Sequence, residues 1–154
     1  MRKGAQTLVF GSKPVILSHA AIGGKKESEG PLASGFDFIT QDAAFADEDC
    51  ANWEQAESML QQKAAGVCLR KAGIAAKDVD LTLAGDLQAQ CTASNYTLRT
   101  LATPFAGLYG ACSTMTEALC LGAAFAATGL ARQVLAMTSS HFCAAERQFR
   151  TPLE

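Results

Sequence analysis

The chain has 154 residues and a formal net charge of -2; 49% of it is hydrophobic, 18% charged and 7% aromatic. Low charge with ordinary hydrophobicity excludes a disordered chain, and the length suits one domain or one half of a larger one. The 13 Lys and Arg residues are scattered, with no basic cluster larger than an adjacent pair such as Lys25-Lys26, so there is no electrostatic footprint for nucleic acid.

Taken in chain order, the apolar run 15–21 reads as a first strand, with His19 inside it in a structural place. The polar, glycine-bearing stretch 22–49 is too long for a turn and reads as a functional or covering loop. Asn52 caps a helix over 53–72, whose Ala56, Met59, Leu60, Lys63 stem, Val67 and Leu69 fall near helical spacing, and Gly73 stops it. Residues 79–84 alternate apolar and polar as a strand does, and Gly85-Asp86 ends it. A second helix follows over 93–101, and Pro104 breaks the chain before a short strand at 105–109. The third helix covers 115–128 with Gly129 as its cap, and 133–139 is the last strand. Beyond that strand the pattern predicts no terminal element, with 146–150 as a charged turn, and the chain reads as incomplete. Strands alternating with helices predict βαβ units and a parallel sheet.

The third helix is apolar around its whole circumference, Glu117 being its one charge. Such a helix is buried on all sides, while one sheet covers one face only. The expectation is that it packs against something outside these 154 residues. The 29 alanines suit such close backbone-to-backbone packing.

The N-terminus lacks the apolar stretch of a signal peptide, and the most apolar window, 118–127, is far short of the roughly 18 residues needed to span a bilayer. A soluble protein made in the cytoplasm is expected, meeting a membrane only through partners. The six cysteines contain no C-x-x-C pair, so they read as reduced thiols, and no metal site is expected. Gly23-Gly24 does not form a nucleotide-binding fingerprint, and no cofactor is expected.

Ligands of open parallel sheets bind beyond the carboxyl ends of the strands. Three polar residues follow those ends: Asp86, Cys112 and His141. Cys112 lies in Tyr109-Gly110-Ala111-Cys112-Ser113-Thr114, a strand, a tight turn and a helix N-terminus. There a thiol meets unpaired backbone N–H groups and the positive end of the helix dipole, which favour a thiolate or hold a carboxylate. The alternative is a packed cysteine at a helix start. Asp86 is a candidate ligand group, its alternative being an Asp that bonds the backbone of its own turn, as Asp after Gly commonly does. His141 is a candidate base for Cys112 or a hydrogen-bonding surface residue. Arg147, close behind, is a candidate partner for a ligand carboxylate or part of a solvated turn. No complete nucleophilic machine is present in this stretch.

Ala84-Gly85-Asp86-Leu87, the Tyr109 to Thr114 segment, Thr138-Ser139-Ser140-His141 and Ala145-Glu146-Arg147-Gln148-Phe149-Arg150 resemble the stage V sporulation protein AD family, as do Gly30-Pro31-Leu32 and Asn52-Trp53-Glu54. The resemblance runs from about Gln6 to the end. It implies an α/β, thiolase-like fold of two similar halves in five α/β/α/β/α layers, with residues 1–154 as one βαβαβαβ half, the N-terminal one. It further implies binding of dipicolinic acid (pyridine-2,6-dicarboxylate) by the soluble component of the apparatus that moves it into the developing spore. That component is peripheral at the spore inner membrane through other, membrane-embedded proteins of the apparatus, and a homodimer is implied. Asp86 and Cys112 match the family's pocket positions; His141 and Arg147 join them by position alone. The alternative implied function is a thiolase or ketoacyl-synthase-like acyltransferase with Cys112 as the acyl-accepting nucleophile, which needs further residues from a second half.

Overall fold

The computed structural model describes residues 1–150. In chain order come β1 (Arg2–Lys3) and β2 (Thr7–Leu8), an antiparallel pair, then β3 (Ile22–Gly23) and β4 (Phe38–Ile39), a parallel pair. The main body follows as α1 (Trp53–Ala72), β5 (Leu81–Gly85), α2 (Thr92–Leu101), β6 (Phe105–Gly107), α3 (Thr114–Thr128), β7 (Val134–Thr138) and α4 (Phe142–Arg150). Its sheet runs β6-β5-β7, all parallel, with Thr82 opposite Phe105 and Leu135.

Alternation along the strands splits the core between the two faces of this sheet. Ala84, Leu135 and Met137 pack with Ala65 of α1, Leu98 of α2 and Val79. Leu83 packs on the other side with Ala118 of α3 and Leu108, together with Leu81, Val134 and Ala136. The result is a layer of α1 and α2, the parallel sheet, and a layer formed by α3. The expected α/β class with a parallel sheet is what the chain forms.

The helix limits follow from local chemistry. Asn52 accepts a hydrogen bond from the Gln55 N–H at 2.9 Å and so caps α1, and Gly73, at φ 68, ends it in the left-handed region that a side chain disfavours. The buried face of α1 is not the expected apolar one. Ala56, Glu57, Ser58, Gln61 and Ala65 are buried, while Met59, Leu60, Lys63, Val67 and Leu69 are only partly covered. The Ser58 and Thr97 hydroxyls lie 3.0 Å apart between α1 and α2, so hydrogen bonds replace aliphatic packing there.

Two further expectations are corrected. Residues 15–21 form no strand, so the sheet holds three strands and not the four of a βαβαβαβ unit. The segment is tied at Ser12, whose hydroxyl donates to the Ala127 carbonyl at 3.0 Å, and at Ser18, whose hydroxyl donates to the Cys68 carbonyl at 2.8 Å. Val15, Ile16 and Leu17 between them are 74%, 74% and 63% exposed, with no neighbouring strand to supply a ladder. Residues 142–150, expected without regular structure, form α4. His141 starts it by accepting the Ala145 N–H, Ala144 and Ala145 are buried, and Arg150 pairs with Glu146 one turn before it. Residues 151–154 of the expected tail lie outside the described residues.

The apolar helix α3 sets Ala118 and Gly122 on the sheet, while Met115, Leu119 and Leu121 are exposed. The 154-residue chain on its own is therefore expected to self-associate, with sedimentation velocity as the check; a monomer with one cooperative thermal transition contradicts it. At the end of β5, a Cβ on Gly85 would stand 2.2 Å from the Leu108 carbonyl oxygen. Gly85→Ala is expected to lower stability by roughly 1–3 kcal/mol in urea unfolding.

Candidate functional site

Because the three strands of the main sheet are parallel, their carboxyl ends share one edge. Three contacts align them: the Leu108 N–H donates to the Ala84 carbonyl at 2.8 Å, the Thr138 hydroxyl to the Gly85 carbonyl at 3.0 Å, and the Ser139 N–H to the same carbonyl at 3.3 Å. Asp86, the turn carrying Cys112, and His141 thus leave the sheet from the same side.

Asp86 is 6% exposed and its carboxylate is filled by protein donors. One oxygen accepts the Gln88 N–H at 2.9 Å; the other accepts the Ser94 N–H at 2.8 Å and the Ser94 hydroxyl at 2.7 Å. It closes its own turn and secures the first turn of α2. That turn is sharply bent, with Gln90 and Cys91 both left-handed at φ 58 and 52. Burial also pushes the Cys91 thiol above its ordinary pKa, so this cysteine stays a thiol donating to the Leu108 carbonyl at 3.2 Å.

His141 is 4% exposed and spans two parts of the chain. Its Nδ1 accepts the Ala144 N–H at 3.4 Å, leaving the Nε2 hydrogen to donate to the Ala43 carbonyl at 2.8 Å. Its ring stacks on Trp53 at 5.4 Å. Stretch 22–49 thus reaches this edge through Ala43, and it buries Thr40 and Phe45 of its own. Arg147 lies on α4, not in a turn, and pairs with Glu54 of α1. The hydrogen bonds of Asp86, His141 and Arg147 therefore run to three different places.

Cys112 is exposed, within the 3-10 turn Ala111–Ser113 that leads into α3. Ala111 sits at φ 45, a strained conformation for a residue with a Cβ, and the Ser113 N–H and hydroxyl both return to the Gly110 carbonyl. The turn presents the thiol at the positive end of α3. Among the described residues no group of three or more His, Cys, Asp or Glu is placed to hold a metal ion, and no helix is long and apolar enough to cross a membrane.

The sequence reading missed the buried ring beneath this edge. Ser139 donates to Glu57 Oε1 at 2.6 Å, and Gln61 Nε2 donates to Ser139 at 2.7 Å and to Ser94 at 3.0 Å. Ser94 donates to Asp86, Asp86 accepts the Gln88 backbone N–H, and the Gln88 side-chain amide closes the circuit on Glu57 Oε2 at 2.6 Å. Burial raises the Glu57 pKa, the negative charge of Asp86 adds to it, and the Ser139 and Gln88 bonds oppose it. The available signal was the spacing of Glu57, Gln61 and Ala65, each four residues apart on one helix face.

Comparison with known proteins was then decisive. The family model for stage V sporulation protein AD (SpoVAD) matches residues 4–154. The chain belongs to that family. Stage V sporulation protein AD of Bacillus subtilis (strain 168) is 42% identical over 151 residues, which are 98% of this chain and 44% of that protein. The chain thus spans less than half the length of the curated relative it matches. Among solved structures, 3-oxoacyl-[acyl-carrier-protein] synthase III from Aquifex aeolicus VF5 is similar, with a TM-score of 0.51 and 21% identity, covering 56% of this chain and 30% of that one. At that identity the likeness establishes a thiolase-like fold for this family member and nothing about its chemistry.

Asp86 and Cys112 stand in opposite stability regimes. Asp86→Asn leaves buried donors facing an amide and is expected to cost about 1–3 kcal/mol in denaturant unfolding, whereas Cys112→Ser is expected to stay within about 0.5 kcal/mol of the parent.

Proposed function

We propose that this chain is the N-terminal half of a thiolase-like sporulation protein that binds dipicolinic acid at the carboxyl edge of its sheet, serving dipicolinate uptake into the spore. The observation that carries the reading is the Cys112 turn: an exposed thiol at the N-terminus of α3, on the edge where three parallel strands end, in a chain of a sporulation family. Backbone N–H groups and the helix dipole at such an end suit a carboxylate. Dipicolinate offers two carboxylates on a flat ring, and the Arg147 guanidinium on α4 is a candidate second contact. On this reading Asp86 and His141 belong to the pocket by holding its walls, Asp86 through the α2 turn and His141 through Ala43 and Trp53.

The further parts of the proposal rest on the family rather than on contacts. They are a second similar half completing five layers, a homodimer, and peripheral attachment to the spore inner membrane through membrane-embedded partners. A second reading rests on the same thiol, which as an exposed nucleophile in a thiolase-like fold would be the acyl-accepting cysteine of a condensing enzyme.

Isothermal titration calorimetry on the full-length protein tests the choice. Dipicolinate is expected to give saturable heat, and Cys112→Ala to weaken binding tenfold or more, about 1.4 kcal/mol. Absence of heat, or equal affinity in Cys112→Ala and Asp86→Ala proteins that remain folded, refutes dipicolinate binding at this edge. A stable acyl adduct on Cys112 after incubation with acyl-coenzyme A, read by mass spectrometry, supports the acyltransferase reading.

A further inference from the structure

Glu57 is a fully buried carboxyl group whose hydrogen-bond partners are neutral, the Ser139 hydroxyl and the Gln88 amide. On α1 itself, Glu54 pairs with Arg147 of α4, and Lys63 pairs with Glu48 of the covering stretch. The end of β5 contributes Asp86, a like charge, and α2 contributes the uncharged Ser94. After β7 come Ser139 and His141, whose ring is engaged by Ala43, Ala144 and Trp53.

Two carboxylates in one buried polar cluster do not both ionise readily, because each must lose its hydration next to a like charge. Asp86 accepts two backbone N–H groups and a hydroxyl, and a backbone N–H cannot in turn accept a hydrogen bond from a carboxylic acid. The proton therefore falls to Glu57. The contact between Glu57 Oε2 and the Gln88 amide is 2.6 Å, short for N–H···O and ordinary for O–H···O. Among the described residues the other amide atom of Gln88 has no hydrogen-bond partner, so Glu57 sets which way that amide faces, and a half-turn presents its oxygen.

We propose that Glu57 is a neutral carboxylic acid in the folded protein, its hydroxyl donating to the side-chain oxygen of Gln88, and that this proton latches the 86–91 turn against α1 and the end of β7. Glu57 is thus a positioning residue, acting on the candidate edge through Gln88 and Ser139. The inference stands whatever ligand the edge binds. When the pH rises past the raised pKa, the proton leaves to solvent, the O–H···O bond is lost, and two negative charges face each other across the ring.

An unfolded Glu ionises near about 4.3, and the folded Glu57 ionises above that, so between the two values the folded state holds one proton more. Stability conferred by this proton is complete below the unfolded value and is lost as pH rises through the folded one.

The test uses the full-length protein. Difference infrared spectroscopy between wild type and Glu57→Gln is expected to show a protonated-carboxyl carbonyl band that persists above the ordinary carboxylate range and disappears as the pH is raised further. In Gln88→Leu that band is expected to move to higher frequency as its acceptor is lost. The Tm of Glu57→Gln, whose amide N–H replaces the hydroxyl as donor, is expected to lose the decline that wild type shows with rising pH above the ordinary carboxylate range. A spectrum with no protonated-carboxyl band overturns the proposal, as does a band unmoved by Gln88→Leu or an unchanged Tm slope in Glu57→Gln.

Discussion

Two carboxyl groups taken out of water a few bonds apart must be satisfied by something, and in this protein what satisfies them is the architecture. Glu57 and Gln61 come from α1, Asp86 from the end of β5, Gln88 from the turn after it, Ser94 from α2 and Ser139 from the end of β7. Hydrogen bonds are directional and an unmade one in a dry interior is costly, so a closed circuit fixes the angle and register at which these pieces meet. Small residues do the rest. Ala56, Ser58 and Ala65 bring α1 close to its neighbours, and the Thr97 hydroxyl also reaches the Ser58 carbonyl at 3.1 Å. Aliphatic packing alone, on a face with so few large side chains, would leave the helices freer to slide.

That ring gives the carboxyl edge of the sheet a division of labour. Asp86 and His141 are tied into the scaffold, and Arg147 joins α4 to α1 through Glu54. Cys112 is different in kind, because it is exposed on a strained turn at the head of a helix. A rigid wall with one accessible soft nucleophile can serve either recognition or chemistry, which is why a fold shared with a 3-oxoacyl synthase leaves the function to the site.

What the sequence made legible follows a physical line. Helices α1, α2 and α3 and strands β5, β6 and β7 were readable because caps, stops and periodicity are local properties, as with Asn52, Gly73 and Gly129. Residues 15–21 have strand composition, but a strand exists only with a partner beside it, and partners are non-local. Helix α4 was masked by its charges, which form the Arg150–Glu146 and Arg147–Glu54 pairs rather than a solvated turn. Glu57 and Gln61 look like solvent-facing residues, and only the arrival of Ser94 and Ser139 from distant elements makes their burial affordable. The convergence of Asp86, Cys112 and His141 on one edge was legible for a topological reason, since parallel strands put all their ends together.

The tethered N-terminal segment carries a consequence for the order in which the molecule is assembled. Ser12 is bonded to Ala127 across 115 positions of sequence, and Ser18 to Cys68 across 50. Neither anchor exists until α3 and α1 have formed and the sheet has brought them to their final places. Residues 12–18 are thus among the last to be seated, because closing loops this long carries a larger entropic cost than local contacts do. Even once both anchors are made, Val15, Ile16 and Leu17 stay an exposed aliphatic run between them.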